Sequence, residues 1–110
     1  MRIQFKSIHC RLTSEMRALV EDKVQTLERY AGKTASPVQA WVEVERTTQH
    51  HQRGPYYRVE IHLRVDGQTL RSHSRGVSVD AALLAAKIRA QTELRKRKER
   101  RVVQRRRLSA

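Results

Sequence analysis

Two hydrophobic periods divide this chain. In residues 2–6, Ile3 and Phe5 share one face of an alternating segment, which predicts a short first strand. Thr13 and Ser14 are N-cap residues, and Glu15 adds negative charge to a first helical turn. Met16, Leu19, Val20, Val24, Leu27 and Ala31 then recur at three- and four-residue spacing, the apolar stripe of an amphipathic helix. Gly32 is its expected C-terminal cap, so a single helix is predicted over 13–31.

After Pro37 the period becomes two. Val38, Ala40, Val42 and Val44 oppose Gln39, Trp41, Glu43 and Glu45. The polar run 47–55 predicts a flexible loop. Alternation resumes with Tyr57, Val59, Ile61, Leu63 and Val65, and Asp66-Gly67 supplies a two-residue hairpin turn. Pairing Val65 with Gln68 sets Leu63 opposite Leu70, Ile61 opposite Ser72 and Val59 opposite Ser74. Small side chains of the fourth strand then lie on the covered face. Ser78 caps a second helix, with Asp80 in its first turn and a stripe of Val79, Leu83, Ala86, Ala90 and Leu94. Its alanines predict close approach to the sheet or the first helix. The pattern persists to about residue 100, roughly 33 Å at 1.5 Å per residue, with the remaining residues expected to fray.

The predicted fold class is α+β. It is a β-α-β-β-β-α two-layer sandwich with a four-stranded sheet, both helices on one face and an open, basic opposite face. Residues 1–100 form one domain and 101–110 a basic, flexible tail.

Composition adds bounds. One hundred and ten residues with a 38% hydrophobic fraction support one modest core. No apolar run approaches a membrane span, and the start of the chain lacks a signal-peptide pattern. A lone Cys10 makes no internal disulfide, and a cytoplasmic location is expected.

Charge changes the picture more. The net charge is +13, and residues 87–107 hold eleven basic residues against Glu93 and Glu99, for +9. Such a segment seeks a polyanion, and nucleic acid is the commonest one available. Solvated helices usually mix both signs, which disfavours a merely soluble helix end. Lys87, Arg89, Arg95, Lys96, Arg97, Lys98, Arg100 and Arg101 point around much of the helix, giving salt-sensitive contacts to phosphate. Arg58, Arg64, Arg71 and Arg75 extend the positive surface over the open sheet face, with Trp41 and Tyr56 as stacking groups. An ordinary solvated sheet face explains them equally well, and no RRM signature is present.

Catalytic chemistry has little support. Glu60, His62 and His73 become neighbours in the predicted register, a weak metal or acid–base signal on an exposed sheet. His50-His51 lies in the polar loop without a ligand motif, and His9 and Cys10 point to opposite faces of a strand. Gly-rich phosphate loops are missing. No enzyme activity, metal, cofactor or small-molecule substrate is expected.

The opening strand RIQF, the stretch LTSEMRALVEDKVQTLERY, the strands at 38–46 and 56–65, and VSVDAALLAAKIRAQTELRKRK together resemble one family over 1–98. These are the ribosome hibernation promoting factors, also called ribosome-associated inhibitor or subunit interface proteins. The resemblance implies the same β-α-β-β-β-α fold. It also implies binding to the small (30S) ribosomal subunit and its 16S rRNA, in the cleft for messenger and transfer RNA. Occupying that cleft blocks translation and preserves idle ribosomes in stationary phase or stress. Family members contact rRNA largely through basic side chains of the second helix. Arg89 and Lys96 fall on positions that are basic in the family, as do Lys23 and Arg29 in the first helix; Thr92 departs from that pattern. Lys87, Arg95, Arg97 and Lys98 join the candidate set from charge alone, and Arg71 and Arg75 from the sheet face. The chain resembles the short forms, without room for the dimerisation domain of long members. Short forms act with a separate ribosome-dimerising factor or, with a longer tail, oppose it. Two other readings are a general double-stranded RNA-binding module, by order of elements, and a transcription-associated regulator, by an older family label as sigma-factor modulators.

Overall fold

The computed structural model describes residues 1–47 and 56–109, the last of these by its backbone. Four strands, β1 (Arg2–Ile8), β2 (Gln39–Thr47), β3 (Tyr56–Val65) and β4 (Gln68–Gly76), form one sheet in the order β1-β2-β3-β4. β1 runs parallel to β2, and the other pairs are antiparallel. Helices α1 (Ser14–Gln25), α2 (Glu28–Ala31) and α3 (Val79–Ser109) complete the α+β sandwich. The expected loop beyond Thr47, with His50 and His51, lies outside the described residues.

The hairpin follows the expected register: Val65 pairs with Gln68, Leu63 with Leu70, Ile61 with Ser72 and Val59 with Ser74. Asp66 (φ 48°) and Gly67 (φ 80°) both have positive φ, as a type I′ turn requires. Inward residues of β2 and β3 (Ala40, Val42, Val44, Val59, Ile61, Leu63, Val65) are buried against Val20, Val24 and Leu27 and against the α3 stripe. Arg17 of α1 lies 5.4 Å over the Phe5 ring, seating α1 beside β1. α3 lies over β4 and β3. Ala82, Ala86 and Ala90 are buried there, and the Ser72 hydroxyl donates to the Ala86 carbonyl at 3.0 Å. The small residues on both sides thus let backbone approach backbone.

Two helical boundaries differ from expectation. The predicted helix over 13–31 breaks after Gln25. The Thr26 hydroxyl donates to the Lys23 carbonyl at 2.6 Å, the acceptor that the Leu27 amide would use in an α-helix. That amide instead donates to Val24 at 3.0 Å, and the chain restarts as one turn at Glu28. At the other end, α3 does not stop near residue 100 but continues through Ser109, about 46 Å in all. Arg101 ties this extension down, donating to the Lys33 carbonyl and pairing with Asp66, each at 3.5 Å.

Candidate nucleic-acid interface

The buried stripe of α3 is Val79, Leu83, Ala86, Ala90 and Leu94, and it divides the exposed basic residues between two flanks. At roughly 100° per residue, Lys87, Lys98 and Arg105 fall on the side facing α1 and α2. Arg89, Lys96, Arg100 and Arg107 fall on the side facing the β4 edge. Arg95 is exposed on the outward face between them.

On the first flank, Lys23 of α1 and Lys87 line one end of the groove between the helices, a hollow of about 240 Å³ with Leu19, Leu83, Leu84 and Asp80. Farther along, Arg29 and Lys33 meet Lys98, Arg101 and Arg105 around a hollow of about 500 Å³, with Glu28 on its rim. The family-matched Lys23 and Arg29 therefore share a groove with the charge-selected Lys87 and Lys98. Lys33 and Arg105 were not foreseen. Lys33 follows a glycine cap and belongs to no periodic segment, while Arg105 lies in residues expected to fray.

On the second flank, Arg71 of β4 and Arg89 border a hollow of about 300 Å³ with His73, Thr92 and Glu93. Arg89 donates to the His73 carbonyl at 3.2 Å, and Lys96 stands 3.8 Å from Glu93. Such exposed links contribute little and leave both cations available. Thr92 donates to the Ile88 carbonyl of its own helix, so this position offers no outward cation.

One candidate leaves the surface. Arg97 is only 6% exposed. Its Nε donates to Gln68 at 3.2 Å and its guanidinium pairs with Asp66 at 3.4 Å. The reason is geometric: three residues beyond Leu94, Arg97 continues the buried stripe. It is a structural tie to the hairpin, with little of its side chain left at the surface.

The open sheet face is organised in rows across the strands. Arg2, Gln39, Arg64 and Thr69 form the row nearest the β3–β4 turn, followed by Gln4, Trp41, His62 and Arg71. Next come Lys6, Glu43, Glu60 and His73, and then Ile8, Glu45, Arg58 and Arg75. Glu60 accepts from Arg58 at 2.9 Å and lies 2.7 Å from the His62 ring nitrogen. The His62 hydrogen bond, with help from Arg58 and against partial burial, holds the Glu60 carboxyl below its ordinary value. Glu60, His62 and His73 are thus neighbours as the register predicts, Glu60 lying opposite His73, and Arg58 joins as a further hydrogen-bond partner of Glu60. Among the described residues, no group of three or more acidic, His or Cys side chains is placed to hold a metal. Arg75 is exposed beside Arg58, apart from both flanks of α3. No helix among the described residues is long and apolar enough to cross a membrane.

Residues 3–102 match the family model described as Sigma 54 modulation protein / S30EA ribosomal protein. No curated protein matches the chain significantly. Among solved structures, the fold is similar to the Protein Y N-terminal domain of Thermus thermophilus, with a TM-score of 0.71 and 23% identity. That likeness covers 87% of this chain and 98% of the other. It is also similar to a ribosomal subunit interface protein from Coxiella burnetii, with a TM-score of 0.65 and 16% identity over 90% of this chain and 99% of that one.

Proposed function

Because the chain belongs to the Sigma 54 modulation protein / S30EA ribosomal protein family, we propose that it is a ribosome-binding inhibitor of translation. In this reading it occupies the messenger and transfer RNA cleft of the small (30S) subunit and holds idle ribosomes inactive in the cytoplasm under stress or in stationary phase. It acts by binding, with no chemical step. The supporting observation is the arrangement of α3. A buried apolar stripe fixes the helix to the sheet while basic side chains from Lys87 to Arg107 stand along both of its flanks, a cationic array about 30 Å long. Phosphate contacts from such an array release counterions and give strong, salt-dependent affinity without base specificity. The 16S rRNA backbone is a ligand of matching charge and extent.

Sedimentation with purified 30S subunits at physiological salt tests this reading, with and without messenger and initiator transfer RNA. Stoichiometric binding that those ligands displace is the expected result. Binding that equal-length duplex RNA competes away equally well would leave a general RNA-binding module. Recovery of RNA polymerase in place of ribosomes would move the protein to transcription.

A further inference from the structure

We propose that the turn-proximal end of the open sheet face, opposite the helices, is a binding site for single-stranded RNA. One base stacks on Trp41 and the flanking phosphates lie on Arg2 and Arg64. This site is separate from the helix flanks and does not rest on the ribosome reading.

Trp41 is 49% exposed although it projects from an interior strand of the sheet. It stands over a depression of about 320 Å³ whose border includes Arg2, Gln4, Gln39, His62 and Arg64. Small-ligand sites begin at about this size, roughly 300 Å³. The strand register explains the grouping. Gln4 and His62 are the cross-strand neighbours of Trp41, and Arg2 and Arg64 flank Gln39 in the adjoining row. These two rows hold no acid. The nearest carboxylates on the face, Glu43 and Glu60, stand one row farther on, where Glu60 is held by Arg58 and by the His62 ring at the border of the depression.

Each group has a complementary part on a nucleotide. An exposed indole offers a face on which any base can stack, and two arginines offer forked donors to phosphate oxygens. The side-chain amides of Gln4 and Gln39 both donate and accept, as the edge of an unpaired base requires. A duplex keeps its bases stacked inside, so the exposed indole selects single strands. Charge complementarity and stacking together therefore single out one occupant. An apolar peptide would strand both arginines, and a lone phosphate would leave the indole in water.

Trp41 is the only tryptophan in the chain, so its emission reports this site and not the basic helix. Hexaadenylate titrated into the intact protein is expected to quench that emission saturably. In parallel, anisotropy of a fluorescein-labelled hexaadenylate gives affinities for variants. Trp41→Ala is expected to weaken binding about 10-fold, the size of one lost stacking contact. Trp41→Phe retains a ring and recovers most of that loss, while circular dichroism verifies the fold of each variant. Arg2→Gln with Arg64→Gln flattens the salt dependence, by roughly 0.7 in log–log slope per lost phosphate contact. Binding seen by anisotropy without quenching, or equal affinity in Trp41→Ala, would place the oligonucleotide on the helix flanks and overturn the proposal. Failure to bind, or the same quenching by a duplex, would overturn it as well.

Discussion

Arg97 and Asp66, thirty-one residues apart, meet beneath the basic helix with their side chains only 7% and 16% exposed. Asp66 sits in the β3–β4 turn, where one carboxylate oxygen accepts the amides of Ala35 and Ser36 at 2.8 and 3.2 Å. The other takes Arg97 at 3.4 Å and Arg101 at 3.5 Å. A single carboxylate thereby joins the hairpin, the loop after α2 and the long helix. Removing its buried cation leaves Asp66 underpaired, which costs about 2–3 kcal/mol. Arg97→Gln is therefore expected to lower the unfolding free energy by that amount, read as a lower urea midpoint with the m-value unchanged. Arg95→Gln, exposed two residues earlier, stays within about 0.5 kcal/mol. Equal midpoints for the two variants would show that the tie carries no stability.

This pair also marks where the sequence stops being readable. The hairpin register was legible because a period of two on either side of Asp66-Gly67 admits one alignment that keeps every apolar residue on one face. The alanines of α3 announced close packing for the same reason: a buried stripe of small side chains has little other use. Arg97 was hidden by its neighbours. Within Arg95, Lys96, Arg97 and Lys98, charge suggests four equivalent surface cations, and only extending the stripe past Leu94 separates the third. The break at Thr26 was hidden because a side-chain competitor for one backbone carbonyl does not disturb the apolar spacing. On the sheet face, single strands gave the alternation, but the acid-free end emerges only when residues from four strands are set in rows.

Gly76 closes β4 where α3 begins. A Cβ added there would stand 2.7 Å from the Ala82 amide nitrogen and 3.0 Å from the Ala81 Cβ. These are rigid helix atoms, so the helix start must shift off the sheet. Gly76→Ala is expected to cost about 1–3 kcal/mol by overpacking. Gly67→Ala meets no atom within 4 Å and bears only the strain of φ 80°, about 1 kcal/mol. Thermal unfolding of the two variants checks the order. A milder effect at Gly76 would mean that the contact is loose.

The Arg58–Glu60–His62 cluster predicts an acid limb of stability. His62 first, and Arg58 after it, hold the folded-state value of Glu60 below its usual 4.5. A depressed carboxyl contributes stability above its unfolded value and loses it as pH falls through the lower, folded value. Glu60→Gln should therefore be destabilised relative to the parent near neutrality, with the gap narrowing below about pH 4.5. Denaturant midpoints of both proteins at descending pH supply the measurement. A gap that stays constant with pH would assign the effect to packing.

The flank of α3 that faces β4 gives the most direct test of the interface. Arg89 and Lys96 lie on it two helical turns apart, both exposed, Arg89 bonded to the His73 carbonyl and Lys96 paired with Glu93. Reversing both to Glu removes two cations and adds two anions beside any bound phosphate, while the buried stripe remains untouched. Affinity for 30S subunits is expected to fall at least 10-fold, and the log–log salt dependence to flatten by about 0.9 for each lost phosphate contact with duplex regions. The urea midpoint should stay near that of the parent, because exposed links of this type contribute little. Lys23→Glu with Lys87→Glu makes the same test in the groove toward α1, where Asp80 already lies close by. Loss from the first pair alone would set the rRNA along the β4 edge, where Arg71 also stands. Loss from both would mean that RNA surrounds the helix. Unchanged affinity in both pairs would shift the contact to the sheet face, and Arg2, Arg64 and Trp41 would become the residues to replace next.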